Sequence, residues 1–158
     1  MKGATRPENF KVTIYADGAC LKNPGPGGYG AVLIYKGKEK EISEGFPATT
    51  NNRMELLGVI SALEELKYPC KVVVFTDSRY IASAVNQGWL ENWQRNGWKS
   101  SGGKQVKNMD LWKRLLVLLN RHEVIFRWVK GHSGDRYNER CDQLAKNAAR
   151  DIAASLNK

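Results

Sequence analysis

The feature that most restricts how this chain can fold is a short apolar run, KVVVFT, at Lys71–Thr76. The run is shorter than an ordinary helix, and its β-branched and aromatic residues are typical of a strand buried on both faces. Strands of this kind lie inside parallel sheets that are covered by helices. Just before it, Leu56, Val59 and Leu63 recur at helical spacing. The run therefore predicts an α/β protein with this strand near the middle of the sheet.

The flanking segments predict the other elements. Before the apolar run, three strands are expected at Lys11–Gly18, Ala31–Tyr35 and Glu39–Ala48, and the fifth strand of the chain is expected at Val124–Val129. Further helices are expected to begin near Ser78, to end near Arg121 and to begin at Tyr137. The glycine-rich stretch Asn23–Gly30 opens into a strand and not a helix, which favours a hairpin over a phosphate-binding loop. The order predicts one mixed five-stranded sheet, an antiparallel meander continued by parallel strands, with helices on both faces.

The basic charge is concentrated in one segment. The chain has 158 residues and a net charge of +9, and residues 87–121 hold seven basic and two acidic residues together with four of the five tryptophans. This length predicts a single domain over residues 1–158, with 1–10 as a flexible N-terminus and 87–108 as a basic protrusion. A basic, tryptophan-bearing insertion favours a polyanionic partner such as nucleic acid.

The sequence also predicts a cytoplasmic protein. Its longest aliphatic run, Leu115–Leu119, is far shorter than a membrane span, and the first ten residues lack the apolar core of a secretory signal. Three widely spaced cysteines form neither a zinc motif nor a disulfide framework. No membrane partner is expected.

Four carboxylates could form a metal site. Asp17 and Asp77 end strands that are predicted to be parallel neighbours, so both would leave the sheet at its carboxyl edge. Glu55 lies in the first turn of the first helix, and Asp142 lies in the last helix. Converging carboxylates repel one another unless a cation lies between them, and oxygen ligands favour Mg²⁺ or Mn²⁺. One or two such ions would suit hydrolysis of a phosphodiester.

Each carboxylate also has a purely structural interpretation. Asp17-Gly18 is ordinary turn chemistry, and Asp77-Ser78 could cap the next helix. Glu55 could belong to a capping box that starts at Asn52, and Asp142 could pair with Lys146 one turn later.

His132 lies in the loop sequence VKGHSGDRYNER, between glycines. It is either a solvated loop residue or a mobile base that moves protons during hydrolysis.

Five blocks of sequence, taken in order, resemble the bacterial type 1 ribonuclease H family. They are YADGACLKNPGPGGYGAVL, TTNNRMEL, VVVFTDSRY, WKSSGGKQVKNMDLWKRL and WVKGHSGDRYNERCDQLA, and the resemblance runs from about Val12 to Ala149. It implies a ribonuclease H-like fold and a monomeric, Mg²⁺-dependent endoribonuclease. Such an enzyme hydrolyses the RNA strand of RNA–DNA hybrids and leaves 5′-phosphate and 3′-hydroxyl ends.

The resemblance also implies roles for individual residues. The catalytic set is the four carboxylates, which bind the metal, and His132, which assists. The substrate-binding set is Asn23, Thr50 and Arg53 for a phosphate of the DNA strand, and Asn51 and Asn52 for the minor groove, where 2′-hydroxyls distinguish RNA. The protrusion grips the DNA strand, with Trp89, Trp93, Lys99, Lys104 and Lys107 as its contacts, whereas Trp112 is expected in the core.

Two departures from the family pattern concern binding. Arg79 stands where many relatives have Gln, which would shift a minor-groove contact toward a phosphate. Ser100–Gly103 makes the tip of the protrusion looser and less charged. Two other functions are considered: a nuclease of the same fold that acts on DNA junctions or transfers strands, and a hybrid-binding module without catalysis.

Overall fold

The fold is built on one five-stranded mixed sheet. The computed structural model describes residues 11–131 and 134–157. In chain order the elements are β1 (Lys11–Cys20), β2 (Gly25–Tyr35), β3 (Lys38–Thr49), α1 (Asn51–Glu64), β4 (Lys71–Thr76), α2 (Arg79–Asn86), α3 (Trp89–Arg95), α4 (Met109–Arg121), β5 (Glu123–Trp128) and α5 (Arg136–Leu156). The strands lie in the order β3-β2-β1-β4-β5.

The predicted mixture of strand directions is confirmed. β1 and β3 both pair antiparallel with β2, whereas β4 pairs parallel with β1 and with β5. The KVVVFT run is β4, between β1 and β5, as its apolar character predicted. Because β1 and β4 are parallel, their carboxyl ends lie at the same edge of the sheet.

Helices cover both faces of the sheet, and β2 shows how the faces alternate. Gly28 and Gly30 lie against α5, where an added Cβ would come within 2.8 Å of Ala145 O and 2.5 Å of Leu144 Cβ. Tyr29 points the other way, with its Cβ 3.3 Å from the position of a Cβ on Gly58 in α1. The glycines therefore let α5 rest directly on the strand backbone.

This close packing also explains an error of the sequence analysis. The glycine-rich stretch was predicted to be the hairpin itself, with its strand starting at Ala31. In the structure β2 already begins at Gly25, and the turn is confined to residues 21–24. The glycines are strand residues because a helix packs against them, which a local sequence pattern does not reveal.

The main hydrophobic core lies between the sheet and helices α1, α2 and α4. Its largest fully buried side chains include Ile14, Leu56, Ile60, Ile81 and Trp112. Trp112 is 0% exposed and its indole N–H donates to the Tyr80 hydroxyl over 3.0 Å, which confirms it as a core residue. All three cysteines are free thiols. Among the described helices, not one combines the length and the apolar character needed to cross a bilayer.

Candidate active site and nucleic-acid interface

Asp17 and Asp77 emerge side by side at the carboxyl edge of the sheet. The parallel pairing of β1 with β4 ends at Ala16 opposite Thr76, and the two aspartates are the next residue in each chain segment. Ser78, not Asp77, caps α2, since its hydroxyl accepts from Ile81 N over 3.2 Å. The Asp77 carboxylate is therefore not the cap of this helix.

Glu55 reaches the same place from α1. The cap of α1 is Thr50, whose hydroxyl accepts from Arg53 N over 3.3 Å, so the capping box considered as the structural interpretation of Glu55 does not form. Glu55 lies one turn inside the helix. A Cβ on Gly18 would lie 2.4 Å from Glu55 N, so only glycine at this position lets α1 approach β1 so closely. Gly18 thus places Glu55 against the aspartates.

The three carboxylates form one tight cluster. One oxygen from each of Asp17, Glu55 and Asp77 lies within 4.8 Å of the other two. Asp17 is 4% exposed, and Gly18 N donates to its Oδ1 over 2.9 Å. Glu55 Oε2 is buried and has no hydrogen-bond partner in the described structure. An all-oxygen set with a partnerless buried carboxylate oxygen fits a hard divalent cation.

The electrostatics of the cluster favour a bound proton when no cation is present. Burial and the charge of Asp77 raise the pKa of Asp17 to about 7, although hydrogen bonds from Glu55 and the Gly18 amide oppose the change. Burial and the charge of Asp17 raise the pKa of Glu55 well above its usual range. A divalent cation among these carboxylates would favour their charged forms and so offset both the burial and the repulsion.

Asp142 lies outside this cluster. It projects from α5, and its carboxylate accepts from Lys146 Nζ over 3.0 Å, so the ion pair considered as its structural interpretation is present. Its charge nevertheless contributes to the raised pKa of Asp17, which places it near the cluster. The structure thus brings three of the four predicted carboxylates together and leaves the fourth at the margin.

His132 lies outside the described residues. The residues on either side of its loop are placed: an added Cβ on Gly131 would lie 3.0 Å from Asp77 Oδ2, and Asp135 caps α5 by accepting from Asn138 N over 2.9 Å. The loop that carries the histidine therefore begins beside the carboxylate cluster and ends at the helix that carries Asp142.

Asn23 and Asn51 are in contact, and Thr50 precedes Asn51 at the start of α1. Asn51 N donates to Asn23 Oδ1 over 3.2 Å, and Cys20 N donates to Asn51 Oδ1 over 2.9 Å. These bonds hold the turn between β1 and β2 against the start of α1. Asn52, the next residue of the helix, is exposed.

Arg53 binds Asp110 and Asn108, two partners that the sequence does not predict. Its guanidinium makes two parallel hydrogen bonds to the Asp110 carboxylate, of 2.9 and 2.7 Å, and one of 3.2 Å to Asn108 Oδ1. Asn108 has φ of 62° and also donates to the Tyr80 hydroxyl over 3.2 Å. More than fifty positions separate Arg53 from these partners, so no local pattern signals the contact.

The protrusion presents tryptophan and lysine side chains. Trp89 is 40% exposed, whereas Trp93 is half-buried and packs on Trp112 with ring centroids 5.3 Å apart. Trp89 and Trp93 both line a groove of about 320 Å³. Its lining residues are Trp89, Asn92, Trp93, Asn96, Lys99, Ser100 and Ser101. The three predicted lysine contacts, Lys99, Lys104 and Lys107, are all exposed.

Arg79 lies at the start of α2, two residues after Asp77. Its side chain is exposed and its guanidinium carbon lies 4.4 Å above the ring centroid of Trp128. Trp128, at the end of β5, was not singled out in the sequence. Its role at this edge depends on strand pairing, which is a long-range feature.

Known proteins are similar to this chain along nearly its whole length. A family model described as RNase H matches residues 9–150. A ribonuclease H from Nitratidesulfovibrio vulgaris is 60% identical over 137 residues, which cover 87% of this chain and 88% of the relative.

Solved structures agree with the sequence comparison. LC9-RNase H1, described as a type 1 RNase H with the type 2 active-site motif, superposes with a TM-score of 0.82 at 36% identity, covering 93% of this chain and 75% of that one. LC11-RNase H1 in complex with an RNA/DNA hybrid superposes with a TM-score of 0.68 at 24% identity, covering 90% and 99%.

Proposed function

Because the chain belongs to the ribonuclease H family, we propose that Asp17, Glu55 and Asp77 bind a divalent cation with which it cleaves the RNA strand of RNA–DNA hybrids. The protein is an endonuclease of that specificity, and its products carry 5′-phosphate and 3′-hydroxyl ends. The observation that carries the proposal is the cluster of three carboxylate oxygens within 4.8 Å of one another. Three free thiols support a reducing, cytoplasmic location, and we infer a monomer.

Mg²⁺ is the proposed ion, and Mn²⁺ is an alternative with the same ligand preference. The buried, partnerless Oε2 of Glu55 and the raised pKa of Asp17 support a cation at this place. When bound, one or two such ions activate water and stabilise the leaving oxygen at phosphorus. Asp142 is proposed as a further metal ligand at the margin of the site. In that role its carboxylate would contact the cation in place of Lys146.

The protein's own contribution is to hold its acids in place before substrate arrives. The ends of β1 and β4 fix the two aspartates, and the close packing of α1 on Gly18 fixes Glu55. Rigid ligands lose little entropy on binding and keep the reacting phosphate aligned. His132 is proposed to accept a proton during hydrolysis or to assist departure of the product.

The hybrid is proposed to lie across the carboxyl edge of the sheet. Asn51 and Asn52 face the minor groove, where 2′-hydroxyls mark the RNA strand. Asn23, Thr50 and Arg53 take a phosphate of the DNA strand, and the Asp110 pairing holds the Arg53 guanidinium in one orientation before binding. The tryptophans and lysines of the protrusion contact the DNA strand further along.

The test of this function compares matched RNA–DNA, RNA–RNA and DNA–DNA duplexes, each with and without Mg²⁺. Cleavage confined to the RNA of the hybrid, and only with the metal, is the expected result. Cleavage of DNA junctions would favour the nuclease alternative of the same fold. Hybrid binding without any cleavage would favour the non-catalytic module, which gives no reason for the carboxylate cluster.

For His132→Ala we expect a slower enzyme and not a dead one. Loss of a proton-transfer group costs about 10²-fold in rate at the low end of general acid–base catalysis, while the carboxylates still hold the metal. Complete loss of activity would contradict an assisting role, and an unchanged rate would exclude the residue from proton transfer.

Charge reversal of Lys99, Lys104 and Lys107 should weaken hybrid binding and flatten its salt dependence. Each lost phosphate contact lowers the slope of log Kd against log salt by about 0.7–0.9. Binding is measured in EDTA so that no cleavage occurs. Reversal of Lys11, Lys36 and Lys38 changes the net charge equally at exposed positions of the opposite sheet edge and serves as the control. Equal slopes for the two triple variants would exclude the protrusion as the grip.

A further inference from the structure

Trp128 and Arg79 form a stacked pair next to the carboxylate cluster. We propose that Trp128 is a positioning residue that holds the Arg79 guanidinium for a backbone phosphate of the hybrid beside the cleaved bond. The proposal rests on the proposed function and adds to it a phosphate contact that depends on a neutral side chain.

The Trp128 ring is fixed from two directions. Its Nε1 donates to the main-chain oxygen of Asp77 over 3.1 Å. Its backbone is held by the pairing of β5 with β4, in which Trp128 lies opposite Thr76, and Val129 N donates to Thr76 O over 2.9 Å. Trp128 as a residue is 40% exposed, so it is anchored at the site and still accessible on the surface.

The stacked arginine lacks the carboxylate partner that five other arginines have in the described part of the chain. Arg53, Arg95, Arg114, Arg136 and Arg140 each pair with a carboxylate. Within the described residues Arg79 has no such ion pair, and its contact is the face of the Trp128 ring at 4.4 Å. Stacking occupies the face of a guanidinium and leaves its in-plane N–H groups to bind a phosphate with two hydrogen bonds.

The position of the pair indicates which phosphate it binds. Arg79 follows Asp77 by two residues, so their Cα atoms lie at most about 7 Å apart. Beside the pair is a groove of about 200 Å³. It is lined by Arg79, Ala82, Ser83, Asn86, Gln87 and Trp128, a polar surface with a single cation. A strand cleaved at the carboxylates would place a neighbouring phosphodiester at this groove.

The test measures the salt dependence of hybrid binding in EDTA for Arg79→Ala, Trp128→Leu and the double variant. Arg79→Ala should lower the slope of log Kd against log salt by about 0.7–0.9. Trp128→Leu should lower it equally although it removes no charge, and the double variant should fall no further. Trp128→Phe keeps a ring under the guanidinium and should retain most of the slope.

For each variant, the ratio of its Kd to the Kd of the parent should change about threefold between roughly 50 and 200 mM salt. A merely structural tryptophan would change Kd at every salt concentration and leave the slope alone. An unchanged slope in Trp128→Leu, or additive losses in the double variant, would overturn the proposal.

A second measurement needs no variant that must fold. In the parent protein the NMR signal of Arg79 Nε–H should be shifted by the indole ring and should move when hybrid binds. A chemical shift equal to that of a free arginine, and unchanged when the hybrid is added, would overturn the proposal. Failure of the parent to bind or cleave hybrid would instead reject the proposed function, so the two outcomes are separable.

Discussion

Asp17→Asn should lower kcat for cleavage of the hybrid by at least about 10³-fold. Even partners that merely support a metal ligand cost about 10–100-fold when removed, and Asp17 is a proposed ligand itself. It is 4% exposed, and one of its oxygens lies within 4.8 Å of oxygens of the other two carboxylates. Rates are measured with a labelled hybrid at saturating Mg²⁺.

The substitution should leave hybrid binding intact, because Asp17 is not one of the proposed hybrid contacts. Binding in EDTA therefore separates loss of catalysis from loss of substrate. Asp151→Asn, which removes one exposed acid further along α5, controls for the change in net charge. Turnover of Asp17→Asn equal to that of Asp151→Asn would refute the assignment of the site.

The second large effect is on stability without metal. The pKa of Asp17 is raised from 3.8 to about 7 in the folded protein. The folded state therefore holds this proton more tightly than the unfolded state does, so its stabilising contribution is complete below about pH 4 and disappears as the pH rises to about 7. That displacement corresponds to a free energy on the order of 4 kcal/mol.

Asp17→Asn imitates the protonated acid at every pH. In EDTA at about pH 8 the variant should exceed the parent in free energy of unfolding by up to about 4 kcal/mol, and at about pH 4 the two should be nearly equal. Mg²⁺ at about pH 8 should stabilise the parent more than the variant, because the proposed metal site is complete only in the folded parent. Urea titrations measure these differences. A gap that is the same at both pH values would show that repulsion in the cluster is not its cause.

The sequence predicted the order and type of the elements because each has a strong local period. The apolar run of β4 and the helical spacing in α1 are examples, and both lie where they were expected. The start of β2 was misplaced, because the glycines that look like a turn are needed for contact with a helix more than a hundred residues later. The sequence left the cap of α1 open between Thr50 and Asn52, because several polar residues in succession could each serve.

The convergence of Asp17 and Asp77 followed from topology, because parallel neighbours end at one edge. Topology does not predict the pairing of Arg53 with Asp110 or the stacking of Arg79 on Trp128, because each contact joins residues about fifty positions apart. Such contacts depend on how helices and strands are packed, and no short-range period encodes them. The ion pair between Asp142 and Lys146 was foreseeable, since the two are one helical turn apart.

The seating of α5 on bare strand backbone also has a consequence for folding kinetics. Gly30 meets Leu144 there, so this contact closes a loop of more than a hundred residues, and contacts of that kind form slowly. The meander and α1, by contrast, join neighbours along the chain. During refolding, we expect the backbone amides of α5 to become protected from hydrogen exchange later than those of the meander and α1. The proposed fourth carboxylate would then take its place at the margin of the cluster only when folding is nearly complete, so the catalytic site would be among the last parts of the molecule to be finished.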